Sequence, residues 1–408
     1  MDCCRSCGYP LQHIFADLGA MPPANSYVVD DSCSETIFPL RVRVCDNCFL
    51  VQTEIFELPE NIFSNYAYFS SISQTWLDHC KQYVDCVTAH HGLSSSSFVV
   101  EIASNDGYLL KNFLRQDISV LGVEPAQNIA AQANSDGVDT ICDFFSARTA
   151  VEIAARYGKA DLLIGNNVFA HVPDINDFVS GLKTMLAPKG LITLEFPDVL
   201  SMISKNEFDT IYHEHFYYFS LTAVMPIFER HDLSVFHVEK LKTHGGSYRL
   251  FICNNEDETK TPSDSIEATL EKEEVAGLKT LHPYVTFENK ARKIKRDTLS
   301  YLIQKKERGE KIVAFGAPAK GATFLNYCGV GRDFIDYIID ETPYKQGLYM
   351  PGMRIPILPI ERLKQDNPDC IVILPWNWTD EILAKLKNFC SCGTSVATFI
   401  PDIMEYSL

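Results

Sequence analysis

Between Phe98 and about Cys253 the chain alternates short apolar runs with segments of helical character, and few folds satisfy that alternation. Parallel strands need a crossover to return the chain to the same sheet edge, and a helix is the usual crossover. The predicted strands are Phe98–Ile102, Val120–Val123, Leu162–Gly165, Leu191–Phe196, Leu233–Val238 and Tyr248–Cys253. A second alternation starts at Lys311–Gly316 and continues through Tyr337–Asp340, Ile371–Leu374 and Val396–Ile400. With no short tandem repeat, the pattern predicts two α/β sheet domains in one chain.

A chain of 408 residues exceeds one ordinary core. Its 46% hydrophobic and 22% charged residues describe a globular chain rather than a disordered one. A net charge of −17 argues against nucleic acid, which needs a basic footprint. The longest apolar runs, such as Cys370–Pro375, are far too short to span a membrane. Met1-Asp2-Cys3-Cys4 carries neither the basic nor the apolar region of a secretory signal, so a cytoplasmic location is expected. Asn65–His91 is polar and aromatic and reads as helical from Ser73 onward. Between Asn254 and Arg308 the chain becomes charged and helical, and Glu271–Glu274 and Lys290–Lys306 read as solvated faces of a linker.

Cys4-Arg5-Ser6-Cys7 and Cys45-Asp46-Asn47-Cys48 are two CxxC turns, each presenting two thiolates from one tight bend. Four such ligands satisfy tetrahedral zinc and leave no open position, which predicts a structural metal. The gap between the pairs is longer than in many zinc ribbons, and the paired spacing favours Cys4 over Cys3. Cys390-Ser391-Cys392 is a lone CxC and reads as chance.

Val99-Val100-Glu101-Ile102-Ala103-Ser104-Asn105-Asp106-Gly107-Tyr108-Leu109-Leu110 reads as strand, tight turn and helix start. Small residues there let backbone approach a ligand at the carboxyl end of the strand, where open α/β sheets bind. The GxGxxG of a dinucleotide site is lacking. About 23 residues after Glu101, a second strand ends in Glu124-Pro125, placing an acceptor-only carboxylate to grip two ribose hydroxyls. Asp143 and Phe144, in Cys142–Phe145, are candidates to frame an adenine, and Asp161–Asn167 ends a further strand in the amides Asn166 and Asn167. In this order the elements resemble a class I methyltransferase, whose cofactor is S-adenosylmethionine. The predicted cofactor residues are Glu101, Ala103, Asn105, Gly107, Tyr108, Glu124, Pro125, Asp143, Phe144, Asn166 and Asn167.

The densest chemical run is Asp209-Thr210-Ile211-Tyr212-His213-Glu214-His215-Phe216-Tyr217-Tyr218-Phe219-Ser220. Its spacing is wrong for the HExxH zinc helix, so no catalytic metal is implied. Two histidines, a carboxylate and tyrosines supply a general base, an orienting acid and phenol donors.

The whole chain resembles the sugar C-methyltransferases, which methylate a carbon of a nucleotide-linked 4-keto deoxysugar. The resemblance rests on both CxxC pairs, Tyr66–Ser73, Glu101–Leu110, Asn166-Asn167-Val168-Phe169-Ala170-His171, Glu195-Phe196-Pro197, Tyr212–His215, His244-Gly245-Gly246-Ser247 and Gly316-Ala317-Pro318-Ala319-Lys320-Gly321. It extends through Leu325–Gly329, Pro343–Gly347 and Leu374–Asn377, and departs at Ala322, where a polar residue is expected. The resemblance implies His215 as base and Glu214 as its orienter. It also implies Tyr212 and His213 as donors to the keto oxygen, and Tyr68, Asn167 and His171 near the sugar. His244, Lys320 and Lys345 join Asn167 as expected substrate contacts, the two lysines toward a diphosphate, since helix N-termini attract phosphate. Arg249 fits an ion pair equally well. His13, His79, His90, His91, His231, His237 and His282 read as structural or surface residues.

The expected organisation is a zinc-binding module (1–60), a helical connector (61–97), a class I S-adenosylmethionine-dependent methyltransferase domain (98–255), a helical linker (256–308) and a Rossmann-like C-terminal domain (309–408). The expected reaction is C-methylation at C-3 of an NDP-4-keto-6-deoxysugar by a monomer or homodimer that binds neither nucleic acid nor membrane. The rival expectations are an O- or N-methyltransferase on a related sugar, and a non-catalytic scaffold.

Overall fold

The strand predicted at Phe98–Ile102 lies inside a seven-stranded sheet of the computed structural model, which describes residues 3–30, 32–56, 74–390 and 393–408. The strands are β1 (Phe98–Ile102), β2 (Ser119–Val123), β3 (Thr140–Ile141), β4 (Ala160–Asn166), β5 (Leu186–Pro197), β6 (Leu233–Leu241) and β7 (Ser247–Asn254). Their order is β6-β7-β5-β4-β1-β2-β3, with β7 antiparallel to both neighbours and β1 to β5 parallel. The order reverses between β1 and β4, so the crevice at their carboxyl ends is where such a sheet binds its ligand. Tyr66–Ser73, with the expected sugar contact Tyr68, and Ser391-Cys392 lie outside the described residues.

The polypeptide divides into two compact units. The first comprises Met1–Gln12, Cys45–Val199 and Phe216–Thr280. Helix Gln74–His91 buries Cys80, Tyr83, Val84 and Val87, an i, i+3, i+4, i+7 stripe, and the Tyr83 hydroxyl meets Thr193 Oγ1 of β5 at 2.6 Å. Phe169 stacks on Phe219 at 4.5 Å and on Phe228 at 5.7 Å in this unit's core. The solvated reading of Glu271–Glu274 is corrected at Glu273, which is wholly buried. Its carboxylate accepts the backbone N–H groups of Leu221 (2.7 Å) and Thr222 (2.8 Å), neutralising the open amides at the start of helix Leu221–Glu229.

The second unit comprises His13–Val44, Leu200–His215 and Leu281–Leu408. Its sheet contains β8 (Ile312–Phe315), β9 (Ile338–Ile339), β10 (Ile357–Leu358), β11 (Cys370–Ile373), β12 (Ser395–Thr398) and β13 (Met404–Ser407), in the order β10-β9-β8-β11-β12-β13. All pairings are parallel except that of β13 with β12, and the order reverses between β8 and β11. An antiparallel hairpin of His13–Met21 and Phe38–Val44 packs in the same unit, with Phe15 stacked 4.5 Å from Phe287 of helix Phe287–Glu307. Among the described residues no helix is long and apolar enough to cross a membrane.

Candidate functional site

The Sγ atoms of Cys4, Cys7, Cys45 and Cys48 all lie within 4.8 Å of one another in the first unit. Cys4 and Cys48 are 3.7 Å apart and Cys7 and Cys45 3.6 Å apart, close to the edge of a tetrahedron of thiolates around zinc. The two turns repeat one geometry. Gly8 N–H bonds Cys4 O and Phe49 N–H bonds Cys45 O, each 2.9 Å, and both residues have positive φ (75° and 58°). Gln52 Nε2 donates to Cys4 Sγ at 3.1 Å, the kind of outer hydrogen bond that steadies a thiolate. Arg5, inside the first turn, donates to Tyr217 Oη, Thr53 O and Phe216 O, fixing the cage to its unit. The donor set therefore fits a closed, structural zinc site.

At the carboxyl end of β1 the backbone turns sharply, with positive φ at Ala103 (54°), Asn105 (50°) and Gly107 (72°). A side chain at Gly107 would meet Val138 at 2.8 Å, so glycine is required there. Glu124, at the end of β2, accepts the N–H of Asn105 (3.0 Å) and of Ala126 (2.9 Å), one on each oxygen. A carboxylate offers about four lone-pair sites, so acceptor capacity for ribose hydroxyls remains. Pro125 and Cys142 meet across the end of the same strands, where Cys142 Sγ lies 3.7 Å from Pro125 O. Asp143 follows, accepting the Phe144 N–H at 2.8 Å and pairing with Arg148 at 3.3 Å.

Glu101 Oε2, Ser104 Oγ, Asp106 Oδ1 and both polar atoms of the Asn166 side chain are buried without a protein partner. Burial pushes Glu101 well above the ordinary carboxylate range, with the charges of Glu124 and Asp106 adding to it. Burial likewise raises Glu124. Three acids in one cradle suit a ligand carrying positive charge and hydrogen-bond donors, and the sulfonium and ammonium of S-adenosylmethionine meet that description.

Asn167, at φ 56° just beyond β4, places Nδ2 3.4 Å from Nε2 of His244, which itself has φ 54°. Two non-glycine residues in left-handed backbone thus face each other at a strand end. His171 closes the short 3-10 turn Phe169–His171 that follows. Sequence reasoning missed the group behind His244. Glu195 accepts from Arg249 (2.8 Å) and Thr243 (2.9 Å), His79 Nε2 lies 3.1 Å from both Glu195 and Arg249, and Trp76 stacks 5.0 Å from His79 while tilting against Tyr108 and His244. Burial opposes ionisation of Glu195, but the His79 hydrogen bond and the Arg249 charge hold it down to about 2. His79 is thus a member of a buried ion cluster, and Arg249 takes the ion-pair role.

In the second unit, His215 Nδ1 stands 3.0 Å from the carbonyl of Thr210. A carbonyl only accepts, so Nδ1 carries a proton and any basic role falls to Nε2. The ring of Tyr212 lies 4.0 Å from that of His215, across the turn closed by His215 N–H to Tyr212 O. The carboxylate of Glu214 receives the Asn25 amide, at 2.7 and 2.9 Å, and the acceptor at His215 Nδ1 is a backbone carbonyl. His213 is buried, Nε2 faces Pro39 O at 3.3 Å, and burial depresses its pKa.

Asp209, a second residue that sequence reasoning passed over, is buried and accepts the indole N–H of Trp376 at 2.8 Å. Burial raises its pKa to about 6, against the lowering pull of Lys320. Lys320 opens helix Ala319–Cys328, donates to Asn377 Oδ1 at 2.6 Å and lies 4.4 Å above the Trp376 ring. Thr323 of that helix donates to Ile211 O at 2.9 Å, so the helix also carries the His215 loop. Lys345 donates to Ala317 O at 2.9 Å and lies 5.2 Å over Tyr27, whose hydroxyl donates to the same carbonyl. Both lysines thus gather at the Gly316–Gly321 loop; Gly316 has φ 83°, and a Cβ there would strike Pro375 at 2.5 Å. Ala322, where the polar residue was expected, is buried.

Three sequence profiles match: a putative zinc binding domain at residues 4–63, a methyltransferase domain at 84–238 and a C-methyltransferase C-terminal domain at 242–401. The C-methyltransferase NovU of Streptomyces niveus is 34% identical over 404 residues, covering 98% of this chain and 96% of that protein. A ubiquinone biosynthesis O-methyltransferase of Bartonella bacilliformis is 27% identical over 95 residues, 23% of this chain and 38% of that protein. Among solved structures, the PH0226 protein of Pyrococcus horikoshii OT3 aligns with 49% of this chain and 99% of its own at a TM-score of 0.37 and 14% identity, too slight a likeness to add weight. S-adenosylmethionine and a structural zinc are the cofactors of this chain. With a likeness to NovU running the length of both proteins, the chain belongs to the C-methyltransferase family, as an S-adenosylmethionine-dependent enzyme.

Proposed function

We propose that the carbon methylated is C-3 of an NDP-4-keto-6-deoxysugar, in a cytoplasmic route to deoxysugars. The observation that carries this reading is the orientation of His215: Nδ1–H is bound to Thr210 O, so a basic role falls to Nε2. O- and N-methylation act on lone pairs already present, whereas a carbon acceptor must first lose a proton, and a neutral imidazole is suited to taking it.

A hydrogen beside a ketone is acidic because the electron pair left behind delocalises onto oxygen. His215 Nε2 takes that proton, and the resulting enolate carbon forms the new C–C bond. When bound, S-adenosylmethionine supplies the methyl as an electrophile on sulfur, which keeps the bonding pair and leaves as a thioether. Tyr212, ring to ring with His215, is assigned the phenol donor to the keto oxygen as charge develops there. Asn167, His171 and His244, with Tyr68, are assigned to the sugar. Glu124, Glu101 and the Ala103–Tyr108 turn are assigned to the cofactor, with Pro125, Asp143, Phe144 and Asn166 around it. Lys320 and Lys345 are assigned to the diphosphate, on a chain whose net charge of −17 otherwise repels it.

A substrate carrying deuterium at C-3 tests the reading. Loss of the label in step with methyl transfer is the expected result. A methylated product that keeps it contradicts carbon chemistry at that position.

A further inference from the structure

The pair formed by Asn167 and His244, 3.4 Å apart in the first unit, traces back to a single residue behind it. The main-chain carbonyl of Glu195 accepts the N–H of Asn167 at 2.7 Å. Its carboxylate, through Oε1, accepts the hydroxyl of Thr243, the residue before His244, at 2.9 Å. We propose that Glu195 and Thr243 are positioning residues for the acceptor, acting through His244, an inference that rests on the assignment of Asn167 and His244 to the sugar above.

Thr243 is the hub of the turn Thr243–Gly245. Its carbonyl accepts the N–H of Gly246 (2.9 Å) and the hydroxyl of Ser247 (3.0 Å), while its own hydroxyl reaches back to Glu195. His244 stands at φ 54°, and a residue other than glycine keeps such backbone only where its surroundings over-determine it. The residue is exposed, so burial contributes little to its placement and directed bonds to the turn carry it. Glu195 serves as the fixed point because its own position is determined from every side. It is wholly buried, on a strand paired with β4 through Asn166 and with β7 through Arg249. Arg249 donates to Oε2 at 2.8 Å, and His79 Nε2 lies 3.1 Å from both. That ion pair engages Oε2 and leaves Oε1 to Thr243. A hydroxyl on an ionised carboxylate makes a charge-assisted bond, stronger than one between neutral groups. Trp76 braces the far side: stacked on His79 at 5.0 Å, its ring tilts against His244 at 5.9 Å and against Tyr108 of the cofactor turn at 6.4 Å. One hydroxyl thus ties an exposed imidazole to a buried ion cluster.

Thr243→Val removes the hydroxyl, keeps the shape and leaves Glu195 paired with Arg249, whereas a change at Glu195 would strand a buried cation. With the full-length protein and a 4-keto-6-deoxysugar nucleotide that it methylates, Thr243→Val should raise the acceptor KM roughly tenfold and change kcat less. S-adenosylhomocysteine affinity, by calorimetry, should be native, and Thr243→Ser should restore the native KM. Because Thr243 acts through His244, the double variant Thr243→Val/His244→Ala should be no worse than His244→Ala alone. A native KM in Thr243→Val, no rescue by serine, or additive losses in the double variant overturns the proposal. NMR of protein carrying isotope-labelled histidine gives a readout without substrate. The ring signal absent from His244→Ala belongs to His244; it should move in Thr243→Val and return in Thr243→Ser. An unmoved signal overturns the proposal whatever the acceptor is. If the signal moves as expected and no sugar nucleotide is methylated, the positioning of His244 stands and the acceptor reading fails.

Discussion

The Nδ1 of His215 and the carbonyl oxygen of Thr210 stand 3.0 Å apart, five residues from each other on one loop. The loop is held by Thr323 on Ile211 O and by Trp376 on Asp209, and a backbone carbonyl orients the imidazole. His215→Asn should lower turnover by ~10²–10⁴-fold, the usual contribution of a general base. S-adenosylmethionine affinity, measured by calorimetry, should be unchanged. A variant with native turnover removes His215 from the mechanism.

Glu124 accepts two backbone N–H groups and is assigned the ribose. Charge-assisted hydrogen bonds contribute about 1.5–3 kcal/mol each. Glu124→Ala should therefore weaken S-adenosylhomocysteine binding by roughly tenfold or more in calorimetry. An unchanged dissociation constant contradicts the cradle.

The thiolate cage predicts one zinc per chain by elemental analysis. Thiolate-bound zinc contributes directly to folding, so chelation or Cys45→Ser should lower the thermal midpoint by roughly 10 °C. Metal-free protein of native stability refutes a structural role.

Asp209 is more easily kept neutral in the fold than in the unfolded chain, its pKa raised by burial from 3.8 to about 6. Its stabilising contribution is complete below about pH 4 and is lost as pH rises through 6. Asp209→Asn cannot ionise, so the variant should gain on the native protein between pH 4 and pH 7, by up to ~3 kcal/mol. Denaturant melts at the two pH values decide it; a difference that does not change with pH contradicts a buried, raised Asp209.

Much of the architecture was legible because it is local. The apolar runs at Phe98–Ile102 and Cys370–Ile373 declare strands without reference to their partners, and a CxxC turn carries both of its ligands. Thr140–Ile141 and Ile357–Leu358 are too short to show any period, and Met404–Ser407 lies on an edge, mostly exposed, with no apolar pattern. At the site, residue types could be read but not their partners. The acceptor for His215 is a main-chain carbonyl, which every residue possesses, so no side chain announces it. Glu214 meets Asn25 across 189 positions, and His79 joins Glu195 across 116, distances only the fold closes. The burial of His213 against Pro39 has no signature in the run itself.

The most direct measurement is to incubate the protein with S-adenosylmethionine and a panel of dTDP-, GDP- and CDP-4-keto-6-deoxysugars, reading products by mass spectrometry and NMR. One acceptor should become heavier by a methylene unit, with the new methyl resonance coupled to C-3 of the sugar ring. A methyl found on oxygen or nitrogen, or no transfer to any of these acceptors by protein that binds the cofactor, would contradict the account.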